Sequence, residues 1–149
     1  MKNKNGFTLI ELLVVVAIIA MLTSIIMAAL GDAQAKARDT RRLQDVKTIQ
    51  TAINMYQNAN NENFPPAGNS RSADFLSALI SQKYLPIKLS DPINSDDYYY
   101  NYLTDSPSIL SYCSTKPNTR AVIMFRLEKI ISTYPKCGID SLWYCYCIN

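Results

Sequence analysis

A single apolar run near the N-terminus constrains this chain more than any other feature of its sequence. The run from Phe7 to Leu30 has 24 residues and contains one charged side chain, Glu11. As a helix it spans about 36 Å, and a bilayer core needs roughly 20 apolar residues. The apolar core of a cleaved secretory signal is shorter, about 7–15 residues. The length therefore predicts a membrane-spanning helix that the mature chain retains.

The helical pattern continues beyond the apolar run. Apolar residues recur there at spacings of three and four, at Leu43, Val46, Ile49, Ile53 and Tyr56. This spacing predicts an amphipathic helix with one apolar face. No proline occurs between residues 7 and 63, and the segment 60–66, rich in asparagine and proline, supplies a stop. The sequence thus predicts one helix from about residue 7 to about residue 60.

The composition argues against most catalytic and metal sites. The chain has 149 residues and no histidine, which removes the commonest general base and the commonest zinc ligand. Lys2 and Lys4 precede the apolar run, and beyond it the basic and acidic residues nearly balance. Such a balance gives no reason to expect a nucleic acid partner. We expect no enzymatic activity, no cofactor and no bound metal.

All four cysteines follow residue 112, at Cys113, Cys137, Cys145 and Cys147. An even number in one small domain predicts two disulfides in an oxidising compartment, with free core thiols or a metal site as the alternatives. Cys145 and Cys147 lie two apart on a predicted strand, so they face the same way about 6.6–6.8 Å apart. This distance is at the upper limit for a disulfide. We therefore expect one of them to bond to Cys113 and the other to Cys137.

The chain opens with a short basic leader that ends at Gly6, and Phe7, Thr8 and the lone acid Glu11 follow. This opening resembles the signal sequence of type IV prepilins and of the pseudopilins of type II secretion. The resemblance extends along the helix to about residue 60. It implies that a membrane-embedded prepilin peptidase cuts between Gly6 and Phe7 and then methylates the new amine of Phe7. Residues 1–6 would be the cleaved leader, and 7–30 the transmembrane and filament-core helix.

Glu11 is costly inside a membrane helix, which makes it a candidate for function. The positive end of the helix dipole also favours an acid in the first turn. In the family that this chain resembles, the glutamate pairs with the terminal amine of a neighbouring subunit. The resemblance therefore implies that Phe7 and Glu11 act in assembly. Because Glu11 lies four residues after Phe7 on the same face, a pair within one chain is also geometrically possible.

The remaining residues predict a head domain, 61–149, of α+β class. The segment from Ser72 to Ile80 predicts a short helix that ends near Tyr84. Four runs rich in tyrosine and β-branched residues predict strands, at Asp97–Leu103, Ile109–Cys113, Arg120–Leu127 and Leu142–Ile148. We expect three or four antiparallel strands packed on the amphipathic helix half, 31–60, in a pilin-like arrangement.

Two groups of charged residues predict solvated surfaces. Those between residues 36 and 47 predict a solvated helix face with local pairs, such as Arg41 with Asp45. The five loop acids are Asp91, Asp96, Asp97, Asp105 and Asp140. Their spacing matches no calcium-binding loop, so we expect them to be solvated as well.

The resemblance implies a structural subunit of a type IV pilus or pseudopilus that forms a helical homo-oligomer. An assembly ATPase and a membrane platform protein would act on it indirectly. By the positive-inside rule, the basic residues that follow the apolar run would keep the head in the cytoplasm. The cysteines and the N-terminal motif instead favour a head outside the cytoplasm. We expect a single-pass cytoplasmic membrane protein whose head is extracytoplasmic, and an extracellular or periplasmic filament after assembly. The alternative is a membrane-anchored binding module that does not polymerise.

Overall fold

A computed structural model describes residues 6–67, 74–104, 109–113, 116, 118–129, 135–137 and 143–149, without the side chains of residues 28, 74, 75 and 110. The elements are α1 (Leu9–Ala59), α2 (Asp74–Ser81), β1 (Asn101–Thr104), α3 (Ile109–Tyr112), β2 (Ala121–Arg126) and β3 (Trp143–Ile148). The chain divides into two compact units, Met1–Lys36 and Ala37–Asn149, and α1 contributes residues to both. A long N-terminal helix with a small antiparallel sheet is the α+β, pilin-like fold that the sequence predicts.

The part of α1 in the first unit is apolar and exposed. Every described side chain from Phe7 to Met27 is exposed, and that of Phe7 reaches 86%. A continuous apolar surface of this size marks a site that lipid or other protein covers. By length and composition α1 can cross a membrane, which agrees with the predicted span.

The second unit is built around a three-stranded antiparallel sheet in the order β1-β2-β3. Alternate residues of each strand face opposite sides of the sheet. One face forms the main core with the apolar face of α1. Its buried members include Val46, Ile49, Ile53, Tyr102, Ile123, Phe125 and Tyr144. The α1 positions in this core are among those that the three-four spacing predicts.

The opposite face of the sheet carries a second buried cluster, and here one predicted strand is wrong. The segment Ile109–Tyr112 forms a single helical turn, α3, in which the N–H of Cys113 donates to the carbonyl of Ile109 at 2.9 Å. In a strand these two residues would lie about 13 Å apart. The turn brings both side chains into one cluster with Val122 and Met124 of β2. Burial of Ile109 and Cys113 in the same cluster therefore favours a helical turn over a strand in this segment.

The boundaries of the other elements follow the sequence with smaller differences. Helix α1 ends at Ala59, as predicted, and the side-chain amide of Asn60 donates to the carbonyl of Tyr56 at 2.8 Å. Strand β1 begins only at Asn101, whereas β2 and β3 match their predicted runs closely. The predicted start of the short helix at Ser72 lies outside the described residues, and α2 ends at Ser81.

Candidate functional site

The first candidate site is the start of α1, where Thr8 and Glu11 form a reciprocal cap. The backbone N–H and the hydroxyl of Thr8 each donate to Oε2 of Glu11 at 2.8 Å. The N–H of Glu11 donates in return to Oγ1 of Thr8 at 3.3 Å. This is the capping-box arrangement, which satisfies backbone donors that the first helical turn leaves without partners.

The cap assigns a role to Thr8 that the sequence reasoning missed. The signal was present, because a threonine followed three residues later by a glutamate, just before an apolar run, is the capping-box pattern. Phe7 precedes the cap and is highly exposed. A side chain at Gly6 would meet nothing within 4 Å, so packing within this chain gives no reason for glycine at that position.

Two further polar residues of the apolar segment bond to their own helix. The hydroxyl of Thr23 donates to the carbonyl of Ile19 at 2.7 Å, and that of Ser24 donates to the carbonyl of Met21 at 2.8 Å. Such bonds let hydroxyl groups enter an apolar medium, since an unsatisfied donor there is costly. Glu11 therefore differs from them in kind, because it brings a carboxylate into the segment.

The second candidate site is a buried charge network in the second unit, centred on Arg42. The Arg42 guanidinium is fully buried and donates to Asp91 at 2.6 and 3.0 Å, to Asp39 at 2.8 Å and to Glu128 at 2.7 Å. These carboxylates come from α1, from the loop before β1 and from the segment that follows β2. Arg42 therefore joins three stretches of chain that are distant in sequence.

The carboxylates of the network have further donors. Arg38 donates to both oxygens of Glu128 at 2.7 and 2.6 Å. Asp39 accepts the backbone N–H groups of Glu128 and Lys129 at 3.0 and 2.9 Å. Asp91 accepts the N–H of Ile93 at 2.8 Å. Buried charges are tolerated when pairing and hydrogen bonding satisfy them in this way.

Two tyrosines cover the network. The Tyr98 ring centroid lies 4.6 Å from Cζ of Arg42 and 5.4 Å from Cζ of Arg126, so two guanidinium groups contact one ring. The Tyr100 hydroxyl donates to Asp45 at 2.8 Å. Residues 95–98 form a turn, because the N–H groups of Ser95 and Tyr98 each donate to the other's carbonyl at 3.1 Å. These contacts explain why β1 begins later than the sequence predicts.

The network shifts the ionisation of its members. Hydrogen bonds from Arg38, and then from Arg42, lower the pKa of Glu128 from 4.5 to about 2. Burial by itself would lower the pKa of Arg42, but its bonds to the three carboxylates raise the pKa above the usual value. Burial raises the pKa of the Tyr100 hydroxyl, and the bond to Asp45 raises it further. Glu128 and Arg42 therefore both stay charged at neutral pH.

The prediction of a solvated face is wrong for Asp39, Arg42 and Asp45, all of which are buried. Arg41 is largely exposed, as predicted, and its predicted pair with Asp45 is present at 3.9 Å, although Asp45 is buried. The prediction of a solvated Asp91 is also wrong, since this residue is the bidentate partner of Arg42. A sequence signal existed. The three-four spacing of the core face, traced back from Val46, reaches positions 42 and 39.

The four cysteines form two disulfides, Cys113–Cys147 and Cys137–Cys145, with Cα–Cα distances of 6.1 and 5.3 Å. Cys145 and Cys147 thus bond to different partners, which is the arrangement expected from their spacing on one strand. All four cysteines are buried in the second cluster. The two bridges fasten α3 and the segment 135–137 to β3, over the sheet face that points away from α1.

Comparison with known proteins gives a family match at the N-terminus. The model of the prokaryotic N-terminal methylation motif matches residues 1–27. The type II secretion system core protein G of Escherichia coli (strain K12) is 28% identical over 96 residues, 64% of this chain and 61% of that protein. A fimbrial protein of Pseudomonas aeruginosa is 44% identical over 52 residues, 35% of this chain and 34% of that protein. The type IV wide pilus major component PilA4 of Thermus thermophilus is 45% identical over 64 residues, 41% of this chain and 47% of that protein.

These matches have limited extent. The chain spans about three fifths of the secretion protein's length and less than half of the two pilus proteins. No solved structure gives a significant match to this chain. Since the family model covers residues 1–27, the similarity supports the N-terminal motif most directly.

Proposed function

We propose that this chain, which carries the methylation motif and is homologous to type IV pilins and type II secretion pseudopilins, is a structural subunit of such a filament. One observation carries the proposal. The matched motif opens a long helix whose apolar surface is exposed throughout its first part. That surface fits a bilayer before assembly and the helices of other copies afterwards. A structural role of this kind requires no catalytic site.

In this proposal the motif directs processing. A prepilin peptidase cuts between Gly6 and Phe7, and the amine of Phe7 is then methylated. The domain organisation follows from the cut: a leader of residues 1–6, a membrane and filament-core helix of 7–30, its amphipathic continuation of 31–60 and a head of 61–149. Gly6 and Phe7, the residues on either side of that bond, are both exposed, which is consistent with access by a peptidase.

The cut also changes the surroundings of Glu11. Before cleavage Phe7 offers a neutral peptide N–H, and the Glu11 carboxylate is held by Thr8. After cleavage Phe7 carries an ammonium group, which a buried carboxylate pairs with strongly. We propose that Glu11 pairs with the ammonium of a neighbouring subunit and so fixes the register of the filament. Thr8 would hold the carboxylate in position until then.

The orientation and the assembly partners belong to the same proposal. The two disulfides favour a head in an oxidising compartment, outside the cytoplasmic membrane. The subunit would be stored in that membrane and extracted by a platform protein driven by an assembly ATPase. It would end in a periplasmic or extracellular filament. Exchange of lipid contacts for helix contacts gives a modest gain per subunit, which suits a filament that is assembled by a machine.

The decisive experiment isolates surface filaments and determines the mass of their subunit. We expect a chain that begins with N-methyl-phenylalanine at Phe7. We further expect that Glu11→Ala inserts into the membrane and is cleaved, but lowers filament yield by roughly tenfold or more, because one buried charge loses its partner. Thr23→Val is the matched control. It removes a polar group from the same helix without a change of charge, and it should leave the yield unaltered.

Two results would contradict the proposal. One is a functional native protein that still carries residues 1–6 after exposure to an active prepilin peptidase, as a tethered module that does not polymerise would. The other is a normal filament yield from Glu11→Ala, which would remove the assembly role of the carboxylate.

A further inference from the structure

An open groove of about 520 Å³ lies beside the end of α1 in the second unit. Three residues of α1 line it, Asn54, Gln57 and Asn58, and their spacing of three and four places them on one face of the helix. It is also lined by residues that follow α1 or flank β2 and β3: Glu62, Phe64, Arg120 and Asn149. Small-molecule sites occupy about 300–1,000 Å³, so the groove has the size of such a site. We call it the amide groove.

The amide side chains near the end of α1 divide into two groups. Those of Asn60 and Asn63 donate to backbone carbonyls at 2.8 and 2.9 Å and so help to end the helix. Within the described part of the chain, those of Asn54, Gln57 and Asn58 make no hydrogen bond. Each of these three amides therefore offers two donor hydrogens and one acceptor oxygen to a ligand in the groove.

Glu62 joins the groove through a strained backbone. Its φ is 61°, in the left-handed region that residues other than glycine rarely adopt, and Asn61 before it has a φ of 53°. The N–H of Glu62 donates to the carbonyl of Gln57 at 2.9 Å, which fixes this turn to the end of the helix. Glycine would close the helix with less strain. The glutamate therefore costs stability at this position, and strain of this kind is characteristic of ligand sites.

Arg120 reaches the groove from the sheet. Its backbone N–H donates to the carbonyl of Ile148 at 3.0 Å, and its Cζ lies 5.2 Å from the ring centroid of Phe64. The contact with the aromatic ring orders a side chain that is otherwise flexible. The groove thus has a charged donor held in place before any ligand arrives, which lowers the entropic cost of binding.

The lining selects the class of ligand. Of the described residues that line the groove, Phe64 alone is apolar, which does not suit a lipid chain or an apolar peptide. The side-chain charges of Arg120 and Glu62 cancel, so the groove favours neither an anion nor a cation. Its amides both donate and accept, as a hydroxyl group does.

We propose that the amide groove binds a neutral saccharide. Vicinal hydroxyls of a sugar present donors and acceptors side by side, and the amides on one helix face can pair with them. The site belongs to a single subunit, so its occupancy does not depend on filament assembly.

The test is NMR of the side-chain amides of the full chain in a detergent that carries no sugar. The probes are maltose, cellobiose, lactose and N,N′-diacetylchitobiose. At least one should give saturable shifts of the Asn54, Gln57 and Asn58 side-chain signals, with a Kd of about 1 mM or tighter. Sodium phosphate and putrescine, as an anion and a cation, should not shift these signals.

Variants with matched controls isolate the groove. Gln57→Leu should weaken binding of that sugar roughly tenfold, because it removes a donor and an acceptor, whereas Gln44→Leu changes an exposed amide of α1 outside the groove and should leave the Kd unaltered. Glu62→Gly should raise the urea midpoint of the head but also weaken sugar binding roughly tenfold. Asn61→Gly should raise the midpoint without a change in Kd, since Asn61 does not line the groove.

Three results would overturn the proposal. The first is the absence of a saturable shift with all four sugars. The second is a Kd that Gln57→Leu and Glu62→Gly leave unaltered. The third is binding of phosphate or putrescine at the same amides, which would make the groove a site for ions.

Discussion

Replacement of Arg42 by methionine removes one buried cation from three carboxylates. Glu128 keeps Arg38, and Asp39 keeps two backbone N–H donors. Asp91 loses its charged partner and keeps the backbone N–H donors of Ile93 and Asn94. Breaking a buried pair by removal of one member costs about 3–5 kcal/mol. We expect the free energy of unfolding of the head to fall by that amount, with a drop of roughly 10–20 °C in Tm.

The chain's one tryptophan provides the assay. Trp143 lies in β3 and is buried in the second cluster, so its fluorescence reports unfolding of the head. Urea titrations of the full chain in detergent would give the free energies of wild type and variants. Arg41→Met is the matched control, because this neighbouring arginine is largely exposed and 3.9 Å from Asp45. Its loss should cost no more than about 1 kcal/mol.

A double-mutant cycle tests whether Arg42 and Asp91 stabilise the head as a pair. Arg42→Met combined with Asp91→Leu should cost less than the sum of the two single changes by about 1–3 kcal/mol, because no unpaired charge remains between the two positions. Equal losses of unfolding free energy from Arg42→Met and Arg41→Met, or strict additivity in the cycle, would show that the buried network does not stabilise the head.

Two further predictions concern acid and the disulfides. Because the folded head holds the pKa of Glu128 at about 2 against an ordinary 4.5, its stabilisation is fully present above the ordinary value and is lost as pH falls from about 4.5 towards 2. The difference in urea midpoint between wild type and Glu128→Gln should therefore narrow as pH falls across that range. A difference that does not depend on pH would contradict the lowered pKa of Glu128. The bridges Cys113–Cys147 and Cys137–Cys145 close segments of 34 and 8 residues, so chain entropy assigns them about 4 and about 2.5 kcal/mol. Paired Cys→Ala changes should thus destabilise the head more at the first bridge, and the reverse order by the same urea assay would count against this account.

The local sequence pattern predicted two strands of the head correctly and one segment wrongly. The runs now seen as β2 and β3 were predictable because β-branched and aromatic residues alternate between clear turn signals. The run at 109–113 has the same local character, yet it forms α3 because Ile109 and Cys113 share one buried cluster. Propensity in so short a segment is weaker than the packing that surrounds it.

The buried network shows the same limit for charge. Arg41 and Arg42 are neighbours of identical type, and one is exposed while the other is fully buried. Their positions around the helix place only Arg42 on the core face. Burial of its charge also requires carboxylate partners, which the position on the helix does not provide. Asp91 lies 49 residues away from Arg42 and Glu128 lies 86 residues away. Only the folded head brings these partners together.

The sequence by itself determined the apolar helix, its stop near residue 60, the N-terminal motif and the α+β class, because each depends on composition and spacing within a short stretch of chain. The tertiary structure decided the burial of Arg42, the turn before β1, the form of α3 and the pairing of the cysteines. Each of these depends on contacts between residues far apart in sequence. The energy of such contacts comes from desolvation and packing, which are properties of the assembled core and not of any one segment.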